Sequence, residues 1–130
     1  MTSILIIDDD RYMCALLQNL LLEKGYSVAV AFNGMEGIVK ATASTFDIVL
    51  CDFILPDMQG DVVLTRIKKL DRRTIVIVIT GYPNKQTASD LIKKGAYDYM
   101  LKPIVPENLV VVMEKALSET LNQDTGSPKR

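Results

Sequence analysis

Short apolar runs alternate along the chain with longer stretches in which apolar residues recur at every third or fourth position. The runs occupy residues 3–7, 26–31, 47–51, 74–79 and 97–101. Most are near-continuous Val, Ile and Leu, the pattern of parallel strands covered on both faces. The fifth, YDYML, alternates more strongly and predicts an edge strand. Between the runs, Met13, Leu16, Leu17, Leu20 and Leu21 form one helical stripe that Gly25 ends. Ala88, Leu91 and Ile92 share a face ahead of Gly95. Leu109, Met113, Ala116 and Leu117 share another after Pro106, which suits a first helical turn. Weaker helical patterns cover roughly residues 34–44 and 60–70. Strand and helix in regular alternation predict βαβ units with right-handed crossovers, hence an α/β fold around a five-stranded parallel sheet. The domain is expected to span residues 1–121. The polar stretch 122–130, NQDTGSPKR, reads as a tail or the start of a linker.

Open parallel sheets present their functional residues at the carboxyl ends of the strands. Asp8, Asp9 and Asp10 follow the first run, Asp52 the third, Thr80 and Gly81 the fourth, and Lys102 and Pro103 the fifth. The second leads into Phe32-Asn33-Gly34, a turn without obvious chemistry. Carboxylates converging on one edge are costly unless something neutralises them. An all-oxygen donor set suits Mg²⁺, with Asp8 or Asp9, together with Asp52, as protein ligands. Asp10 is better placed to cap the helix that it opens. A carboxylate such as Asp52 is a competent nucleophile towards phosphorus. Lys102 would then pair with phosphoryl oxygens and Thr80 would donate a hydrogen bond to them.

Composition narrows the chemistry further. The chain has no His and no Trp among its 130 residues, which removes His-based nucleophile activation, His acid–base work and His-ligated zinc. Fifteen basic and sixteen acidic side chains leave a net charge of −1, so no basic field points to nucleic acid. Cys14 and Cys51 stand among apolar neighbours without paired spacing and read as reduced core residues. The opening residues lack a signal-peptide pattern, and no apolar run approaches the ~18 residues of a membrane span, so a cytoplasmic location is expected. Singly, each candidate has an ordinary reading: strand-end acids cap helices, Thr80 before Gly81 is turn chemistry, and a Lys-Pro pair is uninformative. Jointly, each residue type stands at the correct end of the correct strand, and the set points to phosphoryl chemistry.

The segments ILIIDDD at 4–10, DIVLCDFILPDMQG at 47–60, VITG at 78–81 and KGAYDYMLKPI at 94–104 together resemble a response-regulator receiver domain of two-component signalling, of the type found at the N-terminus of transcriptional regulators. The resemblance covers about residues 3–121. It implies a flavodoxin-like (βα)5 sandwich with strand order 2-1-3-4-5. It implies that Asp52 is the phosphoacceptor, forming a 4-aspartyl phosphate, and that Asp8 and Asp9 bind Mg²⁺ (or Mn²⁺) with Asp52 and the Ile54 backbone carbonyl. Thr80 would be the switch hydroxyl, Tyr99 the switch aromatic, Lys102 the phosphate-pairing lysine, the Lys102–Pro103 peptide cis, and Gly60 the residue closing the acceptor loop. Gly81 stands where the family often has Ala, a mild departure.

The expected role is that of a switch and not a turnover enzyme: it catalyses only its own phosphorylation and dephosphorylation. The donor is expected to be a phosphohistidine on a sensor histidine kinase. The face made by the fourth helix, fifth strand and last helix would then act on an output domain or downstream protein, in transcription regulation, with a phosphorylation-dependent homodimer as a further expectation. No direct contact with nucleic acid or membrane is expected of this chain, and the form linked to an output domain is favoured over a stand-alone receiver. Ile54 and Tyr82 are expected to flank the phosphoryl group and slow its loss. A flavin carrier of the same fold class would need a Ser/Thr/Gly-rich phosphate loop where the acids stand. An aspartyl-nucleophile hydrolase would carry an acid where Ile54 stands. A degenerate receiver would lack the acids, hydroxyl or lysine that are all present.

Overall fold

The structure, a computed structural model, describes residues 1–81 and 84–126. Its elements run β1 (Ser3–Ile7), α1 (Arg11–Glu23), β2 (Ser27–Ala31), α2 (Gly34–Ala43), β3 (Ile48–Asp52), α3 (Gly60–Leu70), β4 (Ile75–Thr80), α4 (Lys85–Lys93), β5 (Asp98–Leu101) and α5 (Pro106–Gly126). The five strands form one sheet, every neighbouring pair parallel, in the order β2-β1-β3-β4-β5. This is the flavodoxin-like order that the resemblance implied.

The alternation of side chains along each strand divides the core into two layers. Ile4 and Ile6 of β1, Ile48 and Leu50 of β3, and Ile75, Ile77 and Ile79 of β4 face α1 and α5, where they meet Cys14, Leu17, Leu21, Leu109, Val110, Met113 and Ala116. Leu5, Ile7, Val49, Cys51, Val76 and Val78 face the other way, onto Ile38 of α2, Val63, Leu64 and Ile67 of α3, and Leu91 of α4. Both faces of the central strands are therefore apolar, which is why those runs carry no polar alternation. Each fully buried Leu or Ile contributes about 1.5–3 kcal/mol relative to exposure. β5 is half-buried at the sheet edge, as its alternating sequence indicated.

Several boundaries differ by a residue from the sequence pattern. Asp52 and Thr80 do not follow their strands but are the last residues of β3 and β4. The ladder extends to them because Asp52 is in register with Ile79, and Thr80 with Leu101. Apolarity stops before the hydrogen bonds do. α2 and α3 were the weaker helices by pattern, yet α4 is shorter than either. The backbone of α5 continues to Gly126, into the stretch read from sequence as a tail; residues 127–130 lie outside the described part.

Candidate functional site

The carboxyl edge of the sheet gathers Asp8, Asp9, Asp52, Thr80 and Lys102. Asp8 directly follows β1, and its amide still bonds to Ala31 O at 3.0 Å, which fixes the point where the chain leaves the sheet. Asp8 Oδ1 accepts the Asp10 N–H at 2.9 Å. Asp10 in turn caps α1, accepting from Met13 N at 3.0 Å, the role read for it from sequence. Asp52 ends β3 fully inside the core rim, and its Oδ1 accepts the Ile54 N–H at 3.2 Å. Asp8 and Asp52 are buried, whereas Asp9 is exposed. Carboxylate oxygens of Asp8, Asp9 and Asp52 all lie within 4.8 Å of one another.

Lys102 answers this concentration of negative charge. Its Nζ lies 3.0 Å from Asp52 Oδ2 and 3.3 Å from Asp8 Oδ2, so one ammonium bridges two buried carboxylates. The side chain is aimed there by β5 and by the turn after it. Lys102 N donates to Thr80 O at 2.7 Å, and the Lys102–Pro103 peptide is cis, as the resemblance implied. Burial pushes the Asp8 carboxyl above its usual pKa, and the Asp52 charge adds to that, against the opposing Asp10 amide and Lys102. Burial alone would lower the Lys102 pKa, but its bonds and charge contacts with Asp52 and Asp8 together raise it. The lysine therefore stays protonated, and the site holds one cation against three acids.

Lys102→Ala should lower the stability of the metal-free protein by about 1 kcal/mol, a value discounted because the pair is partly open to solvent. Urea unfolding in EDTA measures this, and added Mg²⁺ should recover part of the loss.

Thr80 is buried at the end of β4, one position beyond the partner of Asp52. Tyr99 is half-buried on β5, and its hydroxyl accepts the Asn84 N–H at 3.4 Å. Asn84 is the N-cap of α4, so Tyr99 touches the start of the helix that follows Thr80. Ile54 is half-exposed next to the acceptor. Tyr82, expected beside the phosphoryl group, lies outside the described residues. Lys94, which caps the end of α4, pairs with Asp61 of α3 at 2.9 Å. Cys14 and Cys51 are free and buried. Burial and the nearby Asp8 push the Cys14 thiol up to about 12, and burial likewise raises that of Cys51, so neither is a ready thiolate.

The residues present fit a hard divalent ion. Three carboxylates offer oxygens at one point, no His or Cys belongs to the cluster among the described residues, and the residual charge is negative. What sequence reasoning overlooked is Asp57. The structure places its carboxylate on the first turn of α2, accepting from Gly34 N and Met35 N. Asn33, passed over as plain turn, caps α2 and accepts from Glu36 N at 2.8 Å. Its Asn-x-x-Glu spacing was a usable signal; the long-range bond from Asp57 left none.

Among the described residues, no helix is long and apolar enough to cross a membrane. Residues 4–114 match the family model of the response regulator receiver domain. The transcriptional regulatory protein ZraR of Escherichia coli K12 is 39% identical over 126 residues, covering 97% of this chain and 29% of ZraR. The chain thus spans less than a third of the length of that relative. Among solved structures, a CheY-like receiver domain protein from Methanospirillum hungatei is 31% identical with a TM-score of 0.91, covering 95% of this chain and 98% of that one. A beryllofluoride-activated NtrC4 receiver domain dimer is 32% identical with a TM-score of 0.87, covering 92% of this chain and 99% of that one. With this sheet order, this set of acids and this extent of match, the chain belongs to the response-regulator receiver domain family.

Proposed function

We propose that this domain takes a phosphoryl group from a phosphohistidine onto Asp52 and converts that charge into a change of its α4-β5-α5 face. The observation that carries the reading is the bridging of Asp52 and Asp8 by one ammonium, Lys102, beside a third carboxylate. A structural salt bridge would pair one base with one acid; an excess of acid with a shared lysine is poised to receive a cation and then an anion.

Asp8, Asp9 and Asp52 would hold Mg²⁺ (or Mn²⁺), with the Ile54 carbonyl as a further ligand. When bound, the ion neutralises the acids and offsets the charge of the incoming phosphoryl oxygens. An Asp52 carboxylate oxygen attacks phosphorus, the P–N bond to the donor imidazole breaks, and the imidazole leaves with the bonding pair. The donor histidine lies outside these 130 residues, which contain no His. Lys102 exchanges its pairing with the Asp52 carboxylate for pairing with phosphoryl oxygens, so the bridging cation follows the charge. Thr80 hydrogen-bonds the same group from the end of β4. Tyr99 moves in response, and its hydrogen bond at the Asn84 cap is the link that transmits the change to α4.

That face carries half-exposed Ile92 on α4 and Leu101 on β5, apolar surface available to a second copy or an output domain. The likeness to ZraR and to an activated receiver dimer supports an output in transcription, reached through a homodimer or a linked domain. Turning such a switch from 1:99 to 99:1 requires about 5.5 kcal/mol of differential interaction. A phosphoryl group that pairs with Lys102 and Thr80 in one state alone would supply it through charge-assisted hydrogen bonds.

The test is intact-mass spectrometry after incubation with acetyl phosphate. Gain of one phosphoryl group only when Mg²⁺ is present supports the reading; a folded protein that binds Mg²⁺ but gains nothing from acetyl phosphate or from histidine kinases defeats it. A separate outcome concerns stability. At a free Mg²⁺ concentration about a hundred times its dissociation constant, the fold should gain about 2.7 kcal/mol. Thermal melts with Mg²⁺ and with EDTA measure that gain, and it should shrink in Asp9→Asn.

A further inference from the structure

The loop after Asp52 is pinned to a helix that contributes none of the proposed ligands. Of the first-turn amides of α2, only Glu36 N is capped locally, by Asn33. Gly34 N and Met35 N instead donate to Asp57 Oδ1 and Oδ2, at 2.8 and 2.9 Å, across 23 and 22 residues of sequence. Such bonds are charge-assisted and set against the positive end of the helix. The amides of Met35 and Gly34 accordingly hold the Asp57 carboxyl below its usual pKa.

Packing repeats the same connection. A Cβ on Gly34 would overlap Met58 Cγ and stand 2.6 Å from Met58 Sδ, so the loop lies directly on the helix start. Within itself the loop is held by Leu55 N to Met58 O at 3.2 Å, the Ile54–Gln59 bridge and Gly60 N to Phe53 O at 2.6 Å. Those bonds make it a unit; Phe53 N to Ile79 O at 2.8 Å ties its base to β4, and none of them reaches α2. α2 in turn is keyed to β1: a Cβ on Gly37 would overlap the Ile7 side chain, and Ile7 immediately precedes Asp8. A continuous path therefore runs from Asp8 through β1 and α2 to Asp57, and back to Ile54 and Asp52.

We infer that Asp57 is a positioning residue: by fastening the acceptor loop to the first turn of α2, it sets Ile54 in place relative to Asp8 and Asp52. The inference rests on the proposed reading of Asp8, Asp9, Asp52 and the Ile54 carbonyl as the metal site. It distinguishes Asp57 from an ordinary cap, which would stabilise α2 and do nothing else.

The experiment is a Mg²⁺ titration of the full chain followed by amide NMR, for wild type and Asp57→Ala, with a thermal melt of each in EDTA. In wild type, the amides of Gly34 and Met35 should shift with the same midpoint as Ile54. In Asp57→Ala that response should vanish and the Mg²⁺ dissociation constant should rise about tenfold, as when an outer-shell support of a metal ligand is removed. Asp57→Asn keeps one acceptor oxygen; it should fall between the two, and it carries the test if the alanine variant does not fold. A lower melting temperature with Mg²⁺ affinity within about twofold of wild type would overturn the inference and leave Asp57 a cap. Wild-type protein that binds no Mg²⁺ would instead overturn the functional reading, and the inference with it; the wild-type arm tells the two failures apart.

Discussion

Asp52→Asn is expected to remain folded, to become more stable without metal, and to take up no phosphoryl group. The three outcomes have one cause. Asp52 and Asp8 are both buried and share a single Lys102 ammonium. Replacing one carboxylate with an amide leaves one buried acid paired with Lys102 and removes a close like-charge contact. That contact is worth about 1 kcal/mol when well screened and more when buried. Asparagine keeps the side-chain oxygen that accepts the Ile54 N–H, so the local turn survives. It lacks the anionic oxygen needed to attack phosphorus. Urea unfolding in EDTA and intact mass after acetyl phosphate treatment measure the two effects on one sample. A variant less stable than wild type would mean that Asp52 holds the fold and is not held at a cost for function.

Gly60→Ala is expected to be the most damaging change of a single methyl group near the site. A Cβ at Gly60 would lie 2.6 Å from Asp52 O and 2.8 Å from Phe53 Cα. Both are backbone atoms, so no side chain can swing aside. Relief requires moving the start of α3 away from the end of β3, which breaks the Gly60 N to Phe53 O bond. Overpacking of this kind costs roughly 1–3 kcal/mol. The displaced backbone is that of Asp52 itself, so the acceptor moves with it. A misplacement of about 1 Å can slow a positioned reaction about a hundredfold. Chemical unfolding gives the first quantity and the rate of phosphoryl uptake at saturating Mg²⁺ the second. Near-normal uptake in Gly60→Ala would show that the loop tolerates the shift.

The fold was legible in the sequence where one physical signal dominated. Central strands buried on both faces must be apolar through their interiors, and β1, β3 and β4 are, with polar residues only at their ends. Helix stripes and the glycines that end them marked α1 and α4. Sheet order was not legible from the pattern, since apolar runs do not say which neighbour they pair with; it came from the resemblance. Strand ends were misplaced by a residue because the ladder continues through polar residues. Asp52 and Thr80 hydrogen-bond as strand while their side chains serve the edge.

The site divides in the same way. Asp8, Asp9, Asp52, Thr80 and Lys102 were readable because each follows or ends an apolar run, and parallel strands deliver their ends to one edge. The support around them was not. Asp57 reaches α2 across 23 residues of sequence, and Lys94 reaches Asp61 across 33. Such contacts depend on three-dimensional placement and leave no periodic trace. The Asn33–Glu36 cap, a local feature, was in reach.

The central claim is that Asp52 becomes covalently phosphorylated. The most direct measurement is borohydride reduction of protein treated with acetyl phosphate and Mg²⁺, followed by peptide sequencing in the mass spectrometer. An acyl phosphate is reduced by borohydride to the alcohol, which turns the modified aspartate into homoserine. The account predicts homoserine at position 52, absent without Mg²⁺ and absent from Asp52→Asn. Homoserine at Asp8 or Asp9, or stable phosphate on Thr80 with residue 52 unchanged, would contradict it.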